Sequence, residues 1–296
     1  MTESNRLAAR GGVLATAALL ALGAWGASLA AAAPPVPPKA AAPIEERADL
    51  RAIIDSTRFT GSVLVYDVRR DRWIGVNADS ADRRLLPAST FKIPNSLIAL
   101  ETGVVTDERT ILPWDSIPRA RTELNRDLSL REAFRLSALP HYRGIARRIG
   151  AERMQNHLDR IGYGNRDISG GIDNFWVEGG LRISPREQVV FVTRLLRGDL
   201  PFSARTMEVV RGIMIFEESP DYTLRAKTGW VYGPKGQVGW WVGWLERGED
   251  AYVFATALHA PMSSRSFGNA RQRVTLRVLR AIGALSDPAA RRAPGE

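Results

Sequence analysis

Ser89 and Lys92 stand three residues apart in Ser-Thr-Phe-Lys. On a helix this spacing puts both side chains on one face, so the amine can reach the hydroxyl. A serine becomes a useful nucleophile only when a neighbouring base takes its proton. Lysine can lose its own proton and act as that base, whereas arginine cannot. The flanking Phe91, Ile93, Leu97, Ile98 and Leu100 are apolar and predict a buried helix. A lysine on a buried helix needs a reason. A second pair, Lys227 and Thr228, precedes Gly229 inside a strand pattern. Together they offer a cation and a hydroxyl to an anion, and the glycine admits close approach of a ligand or another backbone. Of the 41 Lys and Arg residues only Lys39, Lys92, Lys227 and Lys235 are lysine. Where a surface charge suffices this chain writes arginine, so a lysine marks a place where an amine is needed.

The elements that position these residues follow a β, α, β, α order. Residues 61–67 and 72–77 are β-rich and joined by a polar turn, which predicts a hairpin. From Thr90 to Leu200 the pattern is helical, with segments over 129–138, 146–162 and 184–201. The last opens with Ser184, Pro185 and Glu187, a helix-start signature. Strand patterns return at 222–232, 237–247 and 251–260, spaced as an antiparallel meander, and a helix over 264–285 closes the chain. The expected fold class is α+β. One antiparallel sheet takes the early and late strands and is flanked by helices, and a mostly helical lobe is inserted between them. The expected domain spans 46–288, with an α/β lobe over about 46–85 and 206–288, a helical lobe over about 86–205, and a tail over 289–296. His141 and His157 read as helix-surface residues, Tyr163-Gly164-Asn165 as a turn at a cleft rim, and Asp173 and Asn174 as turn residues. Trp240, Trp241 and Trp244 read as sheet packing.

The chain has 296 residues, 45% of them hydrophobic and 25% charged, which suits a globular domain with a sizeable core. It has no cysteine, excluding disulfides, thiolate metal sites, a cysteine nucleophile and a cysteine-borne lipid anchor. The three histidines are scattered and no metal is expected. The net charge is +9, yet the basic residues are interleaved with acids along the chain. A mixed-sign surface that attracts anionic small molecules fits better than nucleic-acid binding. Residues 1–33 carry Arg6 and Arg10, then an apolar run from Val13 ending in small residues. This reads as a signal peptide cleaved after Ala30 or Ala32, leaving no stable membrane anchor and a periplasmic protein. Residues 34–45 read as a Pro/Ala-rich linker.

The ordered set Ser-Thr-Phe-Lys-Ile-Pro-Asn-Ser (89–96), Tyr-Gly-Asn (163–165), Ser-Gly-Gly-Ile-Asp-Asn-Phe-Trp (169–176), Leu-Arg-Ile-Ser (181–184), Lys-Thr-Gly (227–229) and Gly-Trp-Trp-Val-Gly-Trp (239–244) resembles the class D serine β-lactamases, the oxacillinases. The resemblance covers most of residues 46–285. It implies the serine β-lactamase and penicillin-binding transpeptidase-like fold and hydrolysis of penicillin-type antibiotics, giving antibiotic resistance. It implies Ser89 as acylated nucleophile and Lys92, carbamylated by carbon dioxide or bicarbonate, as general base. No other cofactor is implied. Ser137 would relay a proton to the leaving nitrogen. Lys227, Thr228, Gly229 and Arg271 would bind the substrate carboxylate. Backbone N–H groups of Ser89 and Trp230 would form an oxyanion hole. The Trp176 indole would hold the carbamate, inside an apolar wall of Phe91, Leu139, Phe175, Trp176 and Val177. The family usually has Val where Leu139 stands, one methylene larger beside the expected base. The segment 230–238, with Gly233, Pro234 and Gly236, is expected to border the cleft as a short connection. The expected partners are small-molecule β-lactams, with the protein a monomer or homodimer.

Two other readings compete. A penicillin-binding or β-lactam-sensing protein would be acylated and turn over slowly. A basic surface-binding protein would bind polyanions in a salt-sensitive way, and would leave Ser89, Lys92 and Lys227 without a purpose.

Overall fold

Alternating apolar residues make the strands, and the alternation sorts their side chains onto two different cores. The computed structural model describes residues 42–233, 236–262 and 267–286, all within a unit spanning 35–296. The signal peptide, most of the linker, the start of the expected last helix and the tail lie outside them. Seven strands, β1 (Ile44–Glu46), β2 (Thr60–Asp67), β3 (Arg72–Val76), β6 (Ile215–Glu218), β7 (Thr223–Gly233), β8 (Gly236–Arg247) and β9 (Asp250–Ala260), form one sheet in the order β1-β3-β2-β9-β8-β7-β6. The early hairpin thus joins the late meander through antiparallel β2–β9 pairing. Strands β4 (Ile111–Leu112) and β5 (Leu128–Ser129) pair separately.

Helices α1 (Arg51–Asp55) and α8 (Ala270–Ala281) cover one face. Val63, Val65, Trp241, Leu245, Phe254 and Leu258 point into that core. Their sequence neighbours Leu64, Tyr66, Trp240, Val242, Trp244, Val253 and Ala255 point to the other face. There they meet α6 (Pro185–Arg197) and the helical region: α2 (Lys92–Glu101), α3 (Leu130–Arg135), α4 (Leu139–Ile149), α5 (Ala151–Ile161) and α7 (Ala204–Ile213). Ser184 caps α6 by accepting from Glu187 N, and the Glu187 carboxylate accepts from Ser184 N in return.

Several expectations need correcting. The last helix begins at Ala270 and ends at Ala281, not over 264–285. Ile44–Glu46, assigned largely to the linker, adds a parallel strand beside β3. Strand β6 and helix α7 were not anticipated. The stretch 146–162 is two helices, broken at Gly150, whose φ of 82° ends one and starts the next. The segment 230–238 is mainly strand: pairing runs to Gly233 and Gly236, and residues 234–235 lie outside the described ones. His141 is buried, with Nε2 bonded to Arg126 O at 3.0 Å; His157 is half-buried and stacks on Phe202. Tyr163 is buried edge-on against Phe91 and Phe191, so it supports the core rather than a rim.

Candidate active site

The sequence before Ser89 folds into a tight turn, Ala88–Phe91, that leads directly into α2. Three anchors pin the segment. The Trp240 indole donates to Leu86 O (2.9 Å), Ala88 N donates to Trp176 O (3.0 Å), and Gln188 donates to Thr90 Oγ1 (2.8 Å). Ala88 is held at φ 50°, a left-handed conformation that costs a non-glycine residue of order 1–3 kcal/mol and persists only where surroundings impose it. The turn leaves Ser89 partly accessible and places Lys92 beneath it, fully buried. Lys92 Nζ donates to Ser89 Oγ at 3.0 Å.

Burial pushes the Lys92 amine well below its ordinary range, and the charges of Lys227, Arg121 and Arg143 push it the same way. Its sequence neighbour Phe91 stacks on Trp176 (5.2 Å), with Phe175 edge-on to both. Leu139 and Val177 are half-buried against the same core. Tyr142 presents its ring 5.1 Å from Lys92 Nζ, and its hydroxyl pairs with Ser96 Oγ at 2.8 Å. Trp176 Nε1 is buried and has no hydrogen-bond partner.

Opposite stands the β7 triad. Gly229 is where β7 meets the serine-bearing turn: a Cβ there would lie 2.9 Å from Pro87 O and 3.1 Å from Thr90 Cγ2. Glycine here answers to the backbone of the nucleophile turn. One residue either side, Thr228 and Trp230 flank the junction. Lys227 Nζ donates to Ser137 Oγ (3.1 Å), Thr228 O (3.1 Å) and Thr228 Oγ1 (3.3 Å). Burial, then the charges of Arg271 and Arg121, lower its pKa to about 7. Ser137, between α3 and α4, is itself held at φ 54°. Both serine motifs therefore carry local backbone strain.

Arg271, on α8, is buried, and burial lowers its pKa to about 10. Its Nε and Nη1 have no partner. A buried guanidinium with open donors is built for an anion. The site thus assembles a hydroxyl beside an amine of lowered basicity, a second hydroxyl beside a second amine, and a buried arginine with open donors. Among the described residues no group of three or more His, Asp or Glu side chains could hold a metal ion.

A penicillin-binding protein transpeptidase domain model matches residues 58–282. The β-lactamase OXA-48 of Klebsiella pneumoniae is 41% identical over 220 residues, 74% of this chain and 82% of that protein. OXA-5 of Pseudomonas aeruginosa is 46% identical over 182 residues, 60% of this chain and 68% of that protein. The class D β-lactamase YbXI from Nostoc superposes with a TM-score of 0.77 at 43% identity, covering 80% of this chain and 99% of that one. This chain belongs to the class D β-lactamases.

In this β-lactamase the structure brings Ser89, Lys92, Ser137, Lys227, Thr228 and Gly229 into one cleft, with Arg271 close enough to act on Lys227. Trp176 is fully buried in the hydrophobic core, and Leu139 packs against that core partly buried. Three features went unanticipated: Tyr142 under Lys92, the strained Ala88, and Arg121, which acts on both lysines and donates to Leu136 O (3.0 Å) beside Ser137.

Proposed function

We propose that this class D β-lactamase hydrolyses the β-lactam amide of penicillin-type antibiotics through an acyl-enzyme on Ser89. The observation that carries the reading is the pair of lysine–serine contacts facing each other, Lys92–Ser89 at 3.0 Å and Lys227–Ser137 at 3.1 Å. Ser89 Oγ attacks the lactam carbonyl carbon while its proton leaves toward the Lys92 side chain. Backbone N–H groups of Ser89 and Trp230 stabilise the oxyanion. The carbon–nitrogen bond then breaks, and Ser137 passes a proton to the nitrogen with Lys227 behind it. Lys227, Thr228 and Arg271 hold the substrate carboxylate throughout. A water repeats the attack on the acyl ester, losing its proton on the Lys92 side and returning Ser89 to its hydroxyl form.

Two features fit addition of carbon dioxide to Lys92. Only a neutral amine can react, and burial favours the neutral form. Trp176 Nε1 is a buried donor with no partner in reach, suited to an added carbamate oxygen. The carbamate supplies an anionic oxygen base beside Ser89, held by Trp176. The same reading makes the enzyme a periplasmic resistance determinant after cleavage of its signal peptide. Among the described residues no helix is long and apolar enough to cross a membrane.

The test is turnover of a chromogenic cephalosporin and of benzylpenicillin with and without bicarbonate, with intact mass recorded during the reaction. A transient Ser89 adduct, bicarbonate-stimulated turnover, and loss of on the order of 10³-fold or more in Ser89→Ala and Lys92→Ala are expected. A persistent adduct would instead assign an acylated penicillin-binding or sensing role. Turnover indifferent to bicarbonate and to Lys92→Ala would sink the carbamate.

A further inference from the structure

Arg271 is buried and has no acidic partner among the described residues, so something other than an ion pair must fix its guanidinium there. The Trp230 ring lies 5.2 Å from the Arg271 guanidinium carbon. That ring is fastened in turn. Its Nε1 donates to Gln237 Oε1 at 2.9 Å, across the β7–β8 hairpin. Gln237 is buried, and its Nε2 donates to Pro261 O (2.8 Å) and Met262 O (3.4 Å), just after β9. Phe267 meets the Trp230 ring edge-on at 5.7 Å, and Tyr232 stacks beside it at 5.8 Å. On the other side of the arginine stem, Gly239 leaves the space: a Cβ there would lie 3.3 Å from Arg271 Cδ and 2.8 Å from Phe267. Three strands and the approach to α8 therefore converge on one arginine through one indole and one amide.

We infer that Gln237 and the Trp230 side chain form a strut that holds the Arg271 guanidinium in place for the substrate carboxylate, making Gln237 a positioning residue of the known reaction. The inference rests on the carboxylate-binding role given to Arg271 above. A guanidinium free of acids keeps its donors open for the ligand, yet loses rotamer entropy on binding unless it is already ordered. An aromatic face orders it without occupying those donors. The indole can serve only if its own plane is fixed, and the Gln237 amide fixes it. Gln237 touches no reacting atom, so its loss acts on carboxylate recognition and leaves the acyl chemistry alone.

The experiment compares benzylpenicillin with its methyl ester, which lacks the carboxylate charge. Gln237→Met keeps the side-chain volume and removes both polar ends. In that variant kcat/KM for the acid falls roughly tenfold, mostly through KM, while kcat/KM for the ester stays within about twofold. Trp230→Phe, which removes the indole N–H, lowers the same acid-to-ester ratio and supports the inference if Gln237→Met fails to fold. An equal fall for acid and ester in Gln237→Met, or an unchanged ratio in both variants, overturns the strut. A wild-type enzyme with no preference for acid over ester would overturn the Arg271 role itself, and one that hydrolyses neither would overturn the hydrolase reading.

Discussion

Lys92, Lys227 and Arg271 are three basic side chains buried close together, with no carboxylate partner among the described residues. Such a cluster works against folding, because each charge loses hydration and repels the others. The function proposed above gives it a purpose: a neutral amine at Lys92, and two cations for an anionic substrate at Lys227 and Arg271. The stability cost has a definite pH sign. Both lysines have folded pKa values below the unfolded value of about 10.4. Between folded and unfolded pKa the unfolded chain binds more protons, so stability rises with pH through that window. For Lys227 the window runs from about 7 upward. Lys227→Met is therefore expected to abolish turnover of anionic substrates yet raise stability near pH 7 by on the order of 1 kcal/mol. Its advantage over wild type should shrink as pH rises toward 10. Urea unfolding across that range checks this, and an advantage that grows with pH would contradict it.

At the scale of elements, catalysis depends on how closely β7 lies against the Ala88–Phe91 turn. Gly229 sets that distance, since any Cβ would press on Pro87 O and Thr90. Gly229→Ala is expected to move the turn and lower kcat/KM by about 10²-fold, the scale for a displaced reacting group. The α6 cap offers the contrast. Ser184→Ala removes the hydroxyl that accepts from Glu187 N, leaves the Ser184 N–H to Glu187 bond, and should cost about 1 kcal/mol with kcat/KM unchanged. Thermal melts and steady-state kinetics on both variants separate the two effects. A Gly229→Ala enzyme of wild-type activity would refute the role given to this junction.

For the whole molecule, the charge balance of +9 matters through its placement. Several arginines pair with acids at the surface, such as Arg84–Glu187, Arg119–Asp115 and Arg186–Asp82, and such pairs contribute little individually. The cleft differs, because Lys227 and Arg271 lie within it and Arg121 adds to their field. A cleft of one sign focuses oppositely charged ligands. Raising salt from about 0.02 to 0.5 M, which shortens the screening length severalfold, should lower kcat/KM for anionic penicillins several-fold. The methyl ester should be nearly indifferent. Stopped-flow or initial-rate measurements decide, and equal salt dependence for both would remove the electrostatic argument.

The sequence by itself determined what is local. The Ser89–Lys92 pair follows from helical spacing, the hairpin and meander from alternation, and the α6 start from Ser184 to Glu187. The scarcity of lysine pointed to both amines. Order of motifs along the chain was enough for the family and the α+β class. Tertiary structure alone decided what depends on contacts between distant segments: Tyr142 beneath Lys92, Gly229 against Pro87, Gln237 behind Trp230, and the burial of His141 and Tyr163. It also decided the short strands β1 and β6, which exist because a neighbouring strand offers a ladder rather than because their own residues demand one. Spacing fixes which side chains can meet within one element. The pKa of Lys92 and the open donors of Arg271 arise from what surrounds them, and that is set only when the chain has folded.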